Sequence, residues 1–165
     1  MRALPRETRE KEKINTRVGL AVIVPIVFVL DRIPKILVLS RFAEGEGVPV
    51  FPGFFHITRV NNTGAAFGWL RNASTFLIFV SAVSIVLLTV SMILRRRRPR
   101  AADAAWALIL GGALGNLYDR LRFGYVVDFL DFRVWPVFNL ADACICAGVI
   151  LIFIEILFSG KKGRP

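Results

Sequence analysis

Residues 76–94 run for 19 positions without an Asp, Glu, Lys or Arg. A helix needs about 20 apolar residues to cross ~30 Å of hydrocarbon, so this stretch alone predicts a membrane span. Three other runs approach that length only by taking in charged groups. The run 18–39 is interrupted by Asp31, Arg32 and Lys35; 104–118 is short and needs the flanks at Asp103 and Asp119; 137–158 carries Asp142 near its start and Glu155 near its end. With those flanks, spans are predicted at 18–40, 75–94, 101–119 and 137–158. Composition agrees: 55% hydrophobic residues and a mean hydropathy of +0.59 coexist with a net charge of +10, a combination soluble globules rarely show. The expected fold is an all-α membrane protein of four transmembrane helices, with 1–165 as a single integral membrane domain.

The distribution of Lys and Arg orients the spans. Six precede the first span, five lie at 95–100 and three at 161–164, which puts 14 of the 22 on one side. The loops 40–75 and 119–136 hold three each (Arg41, Arg59, Arg71; Arg120, Arg122, Arg133). Basic residues stay on the cytoplasmic side, so both termini and the basic extension 1–16 are expected there. The cluster Arg95–Arg98 reads as an anchor on the anionic leaflet. These clusters form no stripe with interleaved aromatics, and no nucleic-acid partner is expected. The first run begins after 17 residues, exceeds an h-region in length and has no small-x-small pattern after it, so it is expected to remain as a helix. Cys144 and Cys146 lie two residues apart on different helix faces and suggest neither a disulfide nor a metal pair.

The first outward loop has strand character at 48–50 and 54–60, punctuated by Pro49, Pro52 and Gly53 and followed by the turn signal Asn61-Asn62-Thr63-Gly64. A small extracytoplasmic β element on the membrane surface is expected. Its aromatics (Phe51, Phe54, Phe55, Phe67, Trp69) suit interfacial anchoring and a substrate platform equally. His56 is the sole histidine, with no second histidine or nucleophile pattern beside it, and no catalytic or metal role is expected of it. In the third span, Gly111 and Gly115 have the small-xxx-small spacing of close helix approach. Asn116, Asp119 and Arg120 follow on one helical face, where Asp119 and Arg120 could also simply neutralise each other.

Two carboxylates sit in apolar sequence: Val126-Val127-Asp128-Phe129 and Phe138-Asn139-Leu140-Ala141-Asp142-Ala143. An ionised side chain at mid-helix costs roughly 2.5–3.5 kcal/mol on insertion scales and marks a functional site by default. A pair of carboxylates splits its proton affinities, so one can act as acid while the other takes a proton from water. The same groups with Asp31, Lys35 and Asp119 could instead form the relay of a proton-coupled transporter or channel. That reading predicts internal repeats with broken helices, which the sequence lacks. Asp128-x-x-Asp131 could begin an acidic metal site, but no histidine joins it, and no metal is expected.

Five blocks in order, Asp31-x-x-x-Lys35, Asn62-Thr63-Gly64-Ala65-Ala66-Phe67, Gly115-Asn116-Leu117-Tyr118-Asp119-Arg120, Val127-Asp128-Phe129 and Phe138-Asn139-Leu140-Ala141-Asp142, resemble those of the bacterial lipoprotein signal peptidases, the signal peptidase II family. The likeness extends over about 18–158. It departs in a long charged extension before Thr16 and a short segment between Asp128 and Asp142, where the family carries a loop element over its active site. The resemblance implies an aspartic endopeptidase of the bacterial inner membrane that cleaves signal peptides from diacylglyceryl-modified prolipoproteins. Asp128 and Asp142 would be its catalytic pair. Asn62, Gly64, Asn116, Arg120 and Asn139 would support the site and bind substrate, with Asp31, Lys35 and Asp119 as a polar network beneath. It implies no cofactor; the expected partners are the prolipoprotein substrates and membrane lipids, and the chain is expected to be a monomer.

Overall fold

Gly112 and Gly115 show how the helices are assembled in the computed structural model, which describes residues 6–64, 74–94 and 100–159. A Cβ on Gly112 would stand 2.4 Å from the Ala141 carbonyl oxygen, and one on Gly115 would stand 2.7 Å from Asp31 Oδ2. Only glycine lets those two neighbours approach so closely. The helix that carries both is α3 (Arg100–Phe123), and it packs against all three others: α1 (Arg6–Arg41), α2 (Ser74–Leu94) and α4 (Leu140–Ser159). It ends at Gly124, whose φ of +80° and N–H bond of 3.0 Å to the Arg120 carbonyl make a C-terminal cap.

Among the described residues, two helices contain stretches long and apolar enough to cross a membrane, Thr75–Met92 and Leu140–Phe158. Their outer faces are bare: Phe79 is 66% exposed, Leu87 61% and Phe153 61%. Apolar surface on that scale calls for a non-aqueous neighbour. The α1 helix runs through Pro25 and Pro34, and its backbone is already helical at Arg6, so most of the basic extension continues the first helix. Phe67, Trp69 and the basic clusters at 95–98 and 161–164 lie outside the described residues.

The β element is larger than expected. Strands β1 (Gly47–Phe51) and β2 (Phe55–Asn62) form the antiparallel hairpin anticipated in the first outward loop, with Gly47 opposite Thr58. A third strand, β3 (Val126–Asp131), comes from the segment between α3 and α4 and pairs antiparallel with β2, placing Val60 opposite Asp128. The expectation that the β element belongs to the first loop alone is therefore corrected. Val126, Val127, Asp128 and Phe129 are all buried, so this strand lacks the alternation of a half-exposed one. Val38, Val127 and Phe129 form a core cluster joining the end of α1 to the sheet. Helix α4 starts at Leu140, after Phe138 has bridged to Leu130.

Candidate active site

Eight of the side chains singled out in the sequence, Asp31, Lys35, Asn62, Asn116, Asp119, Asp128, Asn139 and Asp142, meet where α1, α3, the end of β2, β3 and the start of α4 converge. Asp31 and Lys35 are one turn apart on α1, and Asn116 and Asp119 are one turn apart on the facing side of α3. Lys35 Nζ lies 2.7 Å from Asp31 Oδ2 and 2.8 Å from Asp119 Oδ2, with all three side chains fully buried. The Arg32 guanidinium bonds Asp119 Oδ1 and sits 4.9 Å from the centre of the Tyr118 ring. Two cations thus face two carboxylates. Burying an ion costs several kcal/mol unless its charge and its hydrogen-bonding capacity are both matched, and backbone donors complete the match here. Ala141 N–H donates to Asp31 Oδ1 at 3.0 Å, and Val127 N–H donates to Asp119 Oδ2 at 3.2 Å. The same two bonds tie α1 to the first turn of α4 and α3 to β3.

Above this network stand Asp128 on β3 and Asp142 in the first turn of α4, and amides hold both. Asn62 Nδ2 donates to Asp128 Oδ2 at 2.8 Å, and Asn139 Nδ2 to Asp128 Oδ1 at 2.7 Å. Asn116 Nδ2 donates to Asp142 Oδ1 at 2.7 Å. The Asn116 amide has one available orientation, because its oxygen accepts from Lys35 Nζ and from Asn139 Nδ2, each at 3.1 Å. Gly64 N–H donates to Asn62 Oδ1 at 3.1 Å and so turns the Asn62 amide towards Asp128.

Asn139 and Asp142 also form the reciprocal cap of α4. Asp142 N–H donates to Asn139 Oδ1 at 2.9 Å, and Asn139 N–H donates to Asp142 Oδ2 at 3.3 Å. This is a capping box in which Asn and Asp take the usual Ser/Thr and Glu/Gln positions. The fold's own requirement for a helix start therefore aims the Asp142 carboxylate, and the partial positive charge of the helix N-terminus lies beside it. Asn139 touches both carboxylates.

Asp128 is 1% exposed. Burial, followed by the charge of Asp142, outweighs the hydrogen bonds from Asn62 and Asn139 and pushes its carboxyl up to about 7. A carboxyl poised there can be protonated at neutral pH and so serve as the acid in acid–base hydrolysis. Arg120 lies close enough to interact electrostatically with Asp142 and Asp128 but hydrogen-bonds neither. Asp131, three residues along β3, turns away from Asp128 and bonds Thr58 at 3.0 Å and Arg133 at 3.1 Å.

Two features escaped the sequence reading. Arg32 was noted only as an interruption of the first span, although a second basic residue within one turn of Lys35 was the available signal. The capping box was legible as Asn139-x-x-Asp142 at the head of an apolar run.

Residues 23–158 match the family model described as signal peptidase (SPase) II. The lipoprotein signal peptidase of Moorella thermoacetica is 48% identical over 141 residues, covering 84% of this chain and 93% of that protein. That of Halothermothrix orenii is 42% identical over 142 residues, covering 86% and 97%. Among solved structures, a bacterial membrane enzyme determined in meso at 2.3 Å is similar with a TM-score of 0.82 and 32% identity over 88% of this chain and 91% of its own. A second, at 1.9 Å, gives 0.77 and 33% over 84% and 92%.

Proposed function

The chain belongs to the signal peptidase II family, and from that premise we propose that it cleaves diacylglyceryl-modified prolipoproteins with water activated between Asp128 and Asp142. Membership makes it a peptidase that removes signal peptides from prolipoproteins. The aspartic mechanism rests on one observation above all: two carboxylates from different elements share Asn139 as a hydrogen-bond partner, and the charge of one raises the proton affinity of the other. Asp142, ionised, takes a proton from water as the water attacks the scissile carbonyl. Asp128, protonated, donates a hydrogen bond to the carbonyl oxygen as negative charge develops there, and protonates the leaving amine as the tetrahedral intermediate collapses. Asn62, Asn116 and Asn139 hold the two groups in register, and Arg120 supplies positive charge nearby.

The substrate's chemistry explains the site's address. Its signal helix and its acylated cysteine both prefer lipid, so the scissile bond is presented at the membrane edge. We read the chain as one membrane domain with spans at about 18–40, 75–94, 101–119 and 137–158, both termini cytoplasmic and the sheet on the opposite surface of the bacterial inner membrane. Reporter fusions at either terminus should then signal cytoplasm, and insertions at 45–53 the outer side. Purified protein incubated with a diacylglyceryl-modified prolipoprotein should release the signal peptide. Failure to cleave a lipidated substrate, with the protein inserted and folded, would sink the proposal.

A further inference from the structure

Behind the sheet, a cavity of about 290 Å³ opens between the end of α1 and the hairpin. Leu37, Val38 and Arg41 line it from α1, Val48 and Ile57 from the hairpin, and Phe129 from β3. The mechanism uses none of these residues. Successive side chains on a strand point to opposite faces, so Phe129 faces the cavity while Asp128, its neighbour, faces Asn62 and Asn139. The volume is at the lower limit for ligand pockets and suits one flexible apolar chain.

Two observations identify the occupant. The α1 surface leading to the cavity is continuous bare hydrocarbon: Leu30 is 51% exposed, Ile33 51%, Ile36 59% and Leu37 48%. Arg41, exposed at the end of the same helix, stands at the mouth. Nearby charged groups are already engaged: Arg59 donates to the Phe42 carbonyl and to Asn61, Glu46 accepts from Ala43 N–H, and Glu44 accepts from Asn61. Arg41 makes no hydrogen bond or ion pair among the described residues. A guanidinium at the rim of an apolar slot matches a phosphate whose attached chain fills the slot.

We propose that this cavity binds one acyl chain of an anionic phospholipid, with the headgroup phosphate on Arg41, and so braces β3 from the face opposite Asp128. The inference rests on the membrane reading above but not on the paired-aspartate mechanism.

The test uses the full chain in phosphatidylcholine nanodiscs carrying a trace of photoreactive acyl-chain phosphatidylglycerol or phosphatidylcholine. Label is mapped by mass spectrometry and normalised to Phe153, a bare position on α4. Phosphatidylglycerol should label the cavity about fivefold more than phosphatidylcholine, the contribution of a single basic residue to binding an anionic lipid. Arg41→Gln should abolish that preference. Val48→Trp, which fills the slot, should remove cavity labelling by both lipids and leave Phe153 labelled. Cavity labelling indifferent to headgroup and to Arg41→Gln would overturn the proposal. Competition by a diacylglyceryl-modified prolipoprotein would also overturn it, by assigning the slot to substrate. Absence of label at both the cavity and Phe153 would overturn the membrane reading together with it.

Discussion

Two carboxylate pairs stand one hydrogen-bonded side chain apart, and their surroundings differ in kind. Asp31 and Asp119 are matched by Lys35 and Arg32, cation against anion. Asp128 and Asp142 are held by amide donors, with no cation bonded to either among the described residues. A carboxylate paired with an ammonium ties helices together. One held by neutral amides keeps its position while its proton remains negotiable. Asn116 separates the two regimes: its oxygen faces Lys35 and its amide hydrogens face Asp142.

If that division is right, substitutions in the two pairs should fail in different ways. Asp128→Asn and Asp142→Asn should each lower cleavage by at least the 10²–10⁴-fold typical of a lost acid–base group, while the protein still inserts and binds lipidated substrate. The pair acts as a unit, so the double mutant should be scarcely worse than either single one. Either variant retaining turnover within about tenfold of wild type, some 1.4 kcal/mol of barrier, would break the comparison at its functional end.

Lys35→Met tests the other end. It leaves Asp31 and Asp119 buried with one cation fewer, and breaking a buried pair costs roughly 3–5 kcal/mol. The expected result is a large loss of thermal stability in detergent, while the fraction that stays folded still cleaves measurably. Asp119→Asn should behave alike but more mildly, because the amide keeps one acceptor for Arg32 or Val127 N–H. A stable Lys35→Met protein with no activity would show that the two clusters are not separable.

The two regions also differed in how readable they were. Asp128 and Asp142 were conspicuous because charge in apolar sequence is anomalous, and Asp31 and Lys35 for the same reason. Strand β3 was not legible. All of Val126 to Phe129 is buried, which erases the two-residue alternation that identifies a strand, and its partner β2 lies 66 residues away at the Asn62–Asp128 contact. The hairpin, with local pairing and Pro-Gly punctuation, was readable within a residue or two. Arg32 was missed because its importance comes from Asp119, 87 residues on; the local signal, a second basic residue within one turn of Lys35, does not name that partner.

Asn139→Ala probes the join between the regions, with a smaller effect. It removes the N-cap of α4, worth about 0.5–2 kcal/mol, and one of the two amide bonds that hold Asp128. Because that bond favours the ionised form, its loss should raise the Asp128 carboxyl above 7. The wild-type profile of kcat/KM should have a basic limb near pH 7, where Asp128 ceases to be an acid; in Asn139→Ala the limb should move up even as the rate falls. A lower rate with an unmoved limb would mean that Asn139 serves only as a cap.

The last effect is on stability, and its sign follows from linkage. The carboxyl of Asp128 goes from 3.8 to about 7 on folding, so between those values the folded chain holds a proton that the unfolded chain has released. Stability from this group is complete below pH 4 and is lost as pH rises through 7. Asp128→Asn removes that dependence. The Tm of Asp128→Asn minus that of wild type should therefore increase from pH 5 to pH 8, at about 2–4 °C for each kcal/mol in a chain of this size. The amide cannot accept from both Asn62 and Asn139, which lowers the difference at every pH without changing its slope. A difference that is flat or falls with pH would mean that Asp128 is ionised in the resting protein, and the acid would then have to be Asp142.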